Sequence, residues 1–225
     1  MSLTARETGG AEFDAIAPGT YSAICYAVVD LGTHHQEIWK KDVHKILLSW
    51  EIPEERIEFT REGKAINIPR TISKRYTLSL HAKASLRRDL EAWRGKRFTD
   101  EELTGFDVGK IAGAHCLLGV VLEQGKRDGR VFAAISSVMA QPRTSQQKPG
   151  TAKKPEHDIV VFAIPEEPEA GFEIPDTLPD WIAATIHESK EWRGEMPSQQ
   201  EPEETPPGPD ADETGEIQDD ENLPF

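Results

Sequence analysis

The chain has 225 residues, with 26 Lys and Arg against 40 Asp and Glu and a net charge of −14. The charge is unevenly placed: residues 1–155 carry 24 basic and 19 acidic side chains, whereas residues 156–225 carry 2 and 21. A mildly basic body with a strongly acidic region behind it points toward nucleic acid, and an acidic total does not argue against it. The longest apolar run, residues 116–122, is interrupted by Gly119 and falls far short of the roughly 18 residues that cross a bilayer. Residues 1–18 hold one Arg and no apolar stretch, so neither a signal peptide nor a membrane partner is expected. Cys25 and Cys116 lie within apolar strand-like runs and read as buried reduced thiols, which suits a cytoplasmic protein.

In chain order, a polar lead-in (1–18) precedes a first strand at 19–30, which is expected to end at Leu31-Gly32. A second strand, 43–52, closes at Pro53, and 56–59 extends it around a turn at Glu62-Gly63. A third, 71–80, alternates, with Ile72, Lys74, Tyr76 and Leu78 on one side and Ser73, Arg75, Thr77 and Ser79 on the other. The period then changes: Leu86, Leu90 and Trp93 recur at i, i+4, i+7, which predicts a helix over 83–93, stopped by Gly95. Thr99 and Glu102 form a Thr-x-x-Glu capping box for a short turn ending at Gly105. Strands at 114–124 and 130–140 follow, joined at Asp128-Gly129 as a hairpin.

Three strands, a helix and two strands is the element order of the OB-fold, a five-stranded Greek-key barrel, and this mainly β fold is expected for 19–141. Residues 142–192 read as a linker containing a segment at 157–164 that adds an edge strand or docks on the barrel, and a helix at 178–192, begun by Pro179, with Trp181, Ile182, Thr185 and Ile186 on one stripe. Residues 193–225 hold almost nothing apolar and read as a disordered acidic tail.

The densest basic stretch runs from Arg61 to Arg97, with 11 basic and 3 acidic residues. It falls on the second-to-third strand loop, the third strand and the helix, and the second and third strands of an OB-fold form its nucleic-acid face. Single strands are held by cations that track phosphates and by rings that stack unpaired bases. The nucleic-acid candidates are therefore Trp39, Lys40, Lys41, Phe59, Arg61, Arg70, Lys74, Arg75, Tyr76, Lys83, Arg87 and Arg88. Trp39, beside two lysines, is the foremost stacking ring, while Trp50 and Trp93 share the phase of core residues. No catalytic or metal constellation stands out. Val108-Gly109-Lys110 lacks the glycines and the Ser/Thr of a phosphate loop, and the seven histidines have no ligand spacing with the cysteines. No enzyme activity and no cofactor is expected.

The chain ends Asp219-Asp220-Glu221-Asn222-Leu223-Pro224-Phe225. This resembles the C-terminal tip of bacterial and phage single-stranded-DNA-binding proteins, Asp-Asp-Asp-Ile-Pro-Phe, with Glu221-Asn222 in place of two acids and Leu223 in place of Ile. The resemblance implies that Phe225 anchors in an apolar, basic-rimmed pocket on replication and recombination proteins. It also implies that Pro224 stiffens the approach, that Leu223 keeps the apolar position, and that Asp219, Asp220 and Glu221 steer. The body, through residues 74–80, 86–96 and 98–103, resembles a segment of phage and prophage replication modules. Together these imply a non-catalytic, sequence-independent protein that coats single-stranded DNA in replication or recombination and recruits partners by its tip. The alternatives are an adaptor that mainly binds proteins, and a nuclease. Homo-oligomerisation, DNA against RNA preference and the identity of the partners are left open.

Overall fold

The computed structural model describes residues 15–37, 40–61, 63–125, 129–142, 154–165 and 167–195. Trp39, Glu62, Asp128, the lead-in before residue 15 and everything after residue 195, including the C-terminal tip, lie outside the described residues, and Arg61 is described only as part of its strand.

The fold is mainly β: a curled antiparallel half-barrel sheet with few helices. The strands are β1 (Gly19–Gln36), β2 (Lys41–Arg61), β3 (Lys64–Thr77), β4 (His115–Gln124), β5 (Val131–Met139) and a short β6 (Val160–Phe162). Their order is β3-β2-β1-β4-β5, all antiparallel, with β6 lying parallel to β1 at Ala27–Val29. Between β3 and β4 come α1 (Ser85–Arg94), α2 (Asp100–Thr104) and a 3-10 turn (Val108–Ile111), and α3 (Asp180–His187) follows β6.

β1 and β2 outrun the sequence expectation for a physical reason, whereas β3 stops at Thr77 and β6 keeps only Val160–Phe162 of the expected 157–164. Leu31-Gly32 does not end β1. Gly32 takes φ +78° inside a bulge between Asp30 and Gly32, where its N–H donates to Asp30 Oδ1, and the strand continues to Gln36. Likewise Pro53 does not close β2: the register with β3 skips from Ile52 to Arg56, and the strand resumes, as expected at 56–59, in a two-stranded arm that reaches Arg61. Further bulges at Cys25/Ala27 and Gly119/Val120 add twist, and this succession curls the sheet.

The two faces of the sheet hold separate cores. On the concave side Ile46, Leu48, Trp50, Ile72, Leu118, Val120, Ile135 and Val138 pack on Leu86, Leu90 and Trp93, the stripe of α1. Gly95 caps that helix at φ +67°, and the Thr99–Glu102 capping box is fully formed at α2. Cys25 and Cys116 are free and sealed in this core; burial pushes the Cys25 thiol up to about 12 and that of Cys116 upward as well. On the outer side Ala27, Val29, Leu31 and Leu47 meet Leu178, Ile182 and Ile186. Residues 154–165 and 167–195 thus form a strap across the back of β1 and β2. Sealing the last three side chains contributes roughly 5–9 kcal/mol before the entropy of ordering them is subtracted.

Candidate nucleic-acid interface

Several of the expected contacts are committed to the fold. Tyr76 is a correction: its ring is 3% exposed within the concave core, and its hydroxyl donates to Asp89 Oδ2 at 2.9 Å, so neither ring face is open to a base. Burial, with the Asp89 carboxylate beside it, raises that hydroxyl's pKa well above the ordinary range. Lys74 is a second correction. Its ammonium donates to Asp89 Oδ2 at 3.0 Å and to the Ile135 carbonyl at 3.2 Å, joining β3, α1 and β5 instead of facing phosphates. Because β3 and β5 share no ladder, this lysine spans the seam where the curled sheet's ends approach.

Arg75 points the other way, as its alternation predicts, and there it meets the strap: its guanidinium lies 5.7 Å from the centre of the Trp181 ring on α3. Arg87 donates to Glu91 Oε1 at 3.1 Å and to the Leu80 carbonyl at 3.2 Å. Arg94 bonds Glu102 and stands over Phe98 and Phe106, a packing hub at the end of α1. Arg70 is half-buried on β3 opposite Ile52, and Phe59 is half-buried on the arm opposite Ile66.

What remains open to solvent lies at the arm and around α1. Lys64 on the arm, Lys83 before α1 and Arg97 after it are exposed, as is Lys40, which takes φ +47° beside the half-buried Lys41 at the start of β2. Arg88 and Lys96 keep 58% and 62% of their side chains in water while touching Asp89 and Glu102 at 3.3 Å. Asp89 and Glu102 keep Lys74 and Arg94 as partners, so a phosphate can take over the solvent-facing ends of Arg88 and Lys96 without leaving either carboxylate alone. A row of surface cations therefore borders the helix, and of the expected stacking rings Tyr76 lies inside the core, Phe59 is half-buried on the arm, and Trp39 falls outside the described residues.

The outer face carries groups that the sequence reading passed over. Glu51 on β2 is 0% exposed, and its carboxylate accepts from the Glu156 N–H at 3.0 Å, the His157 N–H at 2.9 Å and His157 Nδ1 at 2.8 Å. Tyr26 lies beside it on β1, under the His157 ring at a centroid distance of 4.9 Å. Arg56 grips Glu156 through both guanidinium nitrogens at 2.9 Å. At the other end of the strap, buried Glu191 accepts from the Thr33 N–H at 2.7 Å and the Thr33 hydroxyl at 2.6 Å, and Lys190 bonds Asp42. The only local sign was a Glu in alternation with core positions. Its partners lie more than 100 residues away.

Among the described residues no group of three or more His, Cys, Asp or Glu is placed to hold a metal ion, and no helix is long and apolar enough to cross a membrane. Compared with family models and with curated proteins, the chain matches none.

Proposed function

We propose that the protein is a sequence-independent single-stranded-DNA-binding protein built on an OB-fold. The observation that carries this reading is the sheet order β3-β2-β1-β4-β5, with α1 inserted between β3 and β4 and exposed cations around that helix. That order in a curled half-barrel sheet supports reading it as a five-stranded Greek-key barrel opened at the β3–β5 seam. Lys83, Arg88, Lys96 and Arg97 supply phosphate contacts along α1, and Lys40 and Lys64 supply them from the loop before β2 and from the arm. In replication or recombination the bound strand is held by the body, and the Asp219-Asp220-Glu221-Asn222-Leu223-Pro224-Phe225 sequence recruits partner proteins.

The test is a titration of the full chain with oligo-dT, followed by fluorescence anisotropy of the labelled strand at several salt concentrations. Binding is expected to weaken as salt rises, log K falling by about 0.7 per phosphate contact for each decade. Absence of salt-sensitive binding sinks the reading and favours an adaptor that acts through proteins. Removal of Phe225 alone is expected to abolish capture of a purified partner while leaving oligo-dT affinity unchanged.

A further inference from the structure

We propose that residues 154–162 are a displaceable cover over a base-stacking position on Tyr26, and that a bound single strand moves this segment off the sheet. The inference rests on the single-strand-binding reading above and names a position for one unpaired base. Of the aromatic residues on β1, β2 and β3, Tyr21, Trp50 and Tyr76 belong to the concave core or pack against it, and Phe59 stands out on the arm. Tyr26 alone among them packs with the outer face, its hydroxyl meeting Ser49 and Thr71. Ser49 and Thr71 lie on β2 and β3, the strands an OB-fold offers to oligonucleotides.

The position is already filled by a stand-in. The His157 imidazole, a planar heteroaromatic ring, lies over Tyr26 at 4.9 Å with an interplanar angle of 31°, and its Nδ1 meets Glu51 Oε2 at 2.8 Å. An unpaired base stacked on Tyr26 presents an amino or imino N–H at its Watson–Crick edge, the same donor to the same carboxylate. Glu51 then keeps a partner when His157 leaves.

The strap is unequal along its length, and this lets one part move while the other stays. The helix α3 is anchored by Ile182 and Ile186, both sealed against β1 and β2. By contrast β6 has three residues, Ile159 and Val161 are 52% and 53% exposed, and the outermost tie, the bidentate Arg56–Glu156 pair, stands at the surface where water competes for it. Peeling 154–162 away opens Glu51 to water and strands no buried charge.

The experiment uses the full chain and a mixed-sequence single strand. Hydrogen exchange read by mass spectrometry is expected to show residues 154–162 losing protection at saturating strand while α3 keeps its own. Ala27→Cys with Val160→Cys, on paired positions of β1 and β6, provides a lock. The native thiols are sealed and high in pKa, so oxidation is confined to the engineered pair. Oxidised protein is expected to bind roughly 5- to 150-fold more weakly than reduced protein, the contribution of one stacked base. Equal affinity of the two forms, with 154–162 still protected in the complex, overturns the cover and leaves the single-strand reading intact. If neither form nor the unsubstituted chain binds a single strand, that reading falls and takes the cover with it.

Discussion

Glu51 is a carboxylate sealed from water whose charge is answered by two backbone N–H groups and one imidazole, all supplied by residues 156 and 157. Hydrogen bonds to a charged acceptor are about twice as strong as neutral ones, and a buried donor left without a partner is costly. Glu51→Gln keeps the shape but turns one acceptor oxygen into a donor facing other donors. Its expected cost is about 1–3 kcal/mol, read as a lower urea midpoint at unchanged slope, and a shift under about 0.5 kcal/mol contradicts the assignment. Two histidines near the other end of the strap are set in opposite directions. At His44, burial works against the charge, but the Asp30 carboxylate at 2.6 Å and Glu191 beyond it outweigh burial, and the pKa is raised. At His34 burial prevails over the Leu31 carbonyl and the pKa is lowered. A raised folded pKa means that the stability from His44 is fully present below the unfolded value near 6.5 and is lost as pH rises through the folded value. For His34 the contribution is present above that value and is lost as pH falls through its lowered one. An NMR titration of the ring protons is expected to place His44 above and His34 below the ordinary histidine value. The reverse order would falsify the Asp30 pairing.

At the scale of elements, each basic side chain is either part of the frame or free to work on a ligand, and mutation separates the two classes. Lys74→Ala removes the tie among β3, α1 and β5 and leaves Asp89 with Tyr76 and Arg88. It is expected to destabilise the fold by about 1–3 kcal/mol. Arg88→Ala removes an exposed charge and is expected to change stability by no more than about 0.5 kcal/mol, while lowering the salt slope of strand binding by about 0.7. Thermal unfolding and anisotropy on the same samples distinguish them; a Lys74 variant as stable as the parent refutes the seam role. This division also marks the limit of what could be read in advance. The helix stripe Leu86, Leu90, Trp93, its stop at Gly95 and the capping box at Thr99 are local codes, complete within a few residues, and they are all present. Strand ends were misread at Gly32 and Pro53, because both residues punctuate a chain locally yet are accommodated by bulges that only the neighbouring strand defines. The basic stretch was legible as charge, but the fate of each charge was not. Lys74 finds Asp89 after 15 residues and the Ile135 carbonyl after 61, and Glu51 finds His157 after 106. Tyr76 was on the predicted side of its strand, and the side facing α1 proved to be the core.

The whole molecule sets a surplus of positive charge in residues 1–155 against 21 acids and 2 bases in residues 156–225. The described part of that second region uses two of its carboxylates to tie the strap down: Glu156 on Arg56, and Glu191 on Thr33. Residues 196–225 add ten Asp and Glu and no Lys or Arg, seven of them from Asp210 onward. At low ionic strength the Debye length is about 30 Å at 0.01 M, so these charges act on the cations around α1 and on an approaching phosphate backbone alike. Under the proposed single-strand reading both effects oppose binding: the acids would compete for Lys83, Arg88, Lys96 and Arg97, and they would repel the ligand. Deleting residues 210–225 is therefore expected to tighten oligo-dT binding at low salt. The gain should shrink as salt rises and vanish near 1 M, where the Debye length is about 3 Å. Because the deletion leaves the body's cations untouched, the truncated protein should also show the steeper dependence of log K on salt. Anisotropy titrations of both forms across that range measure it, and equal or weaker affinity of the truncated chain at low salt rules out competition between the acidic region and DNA.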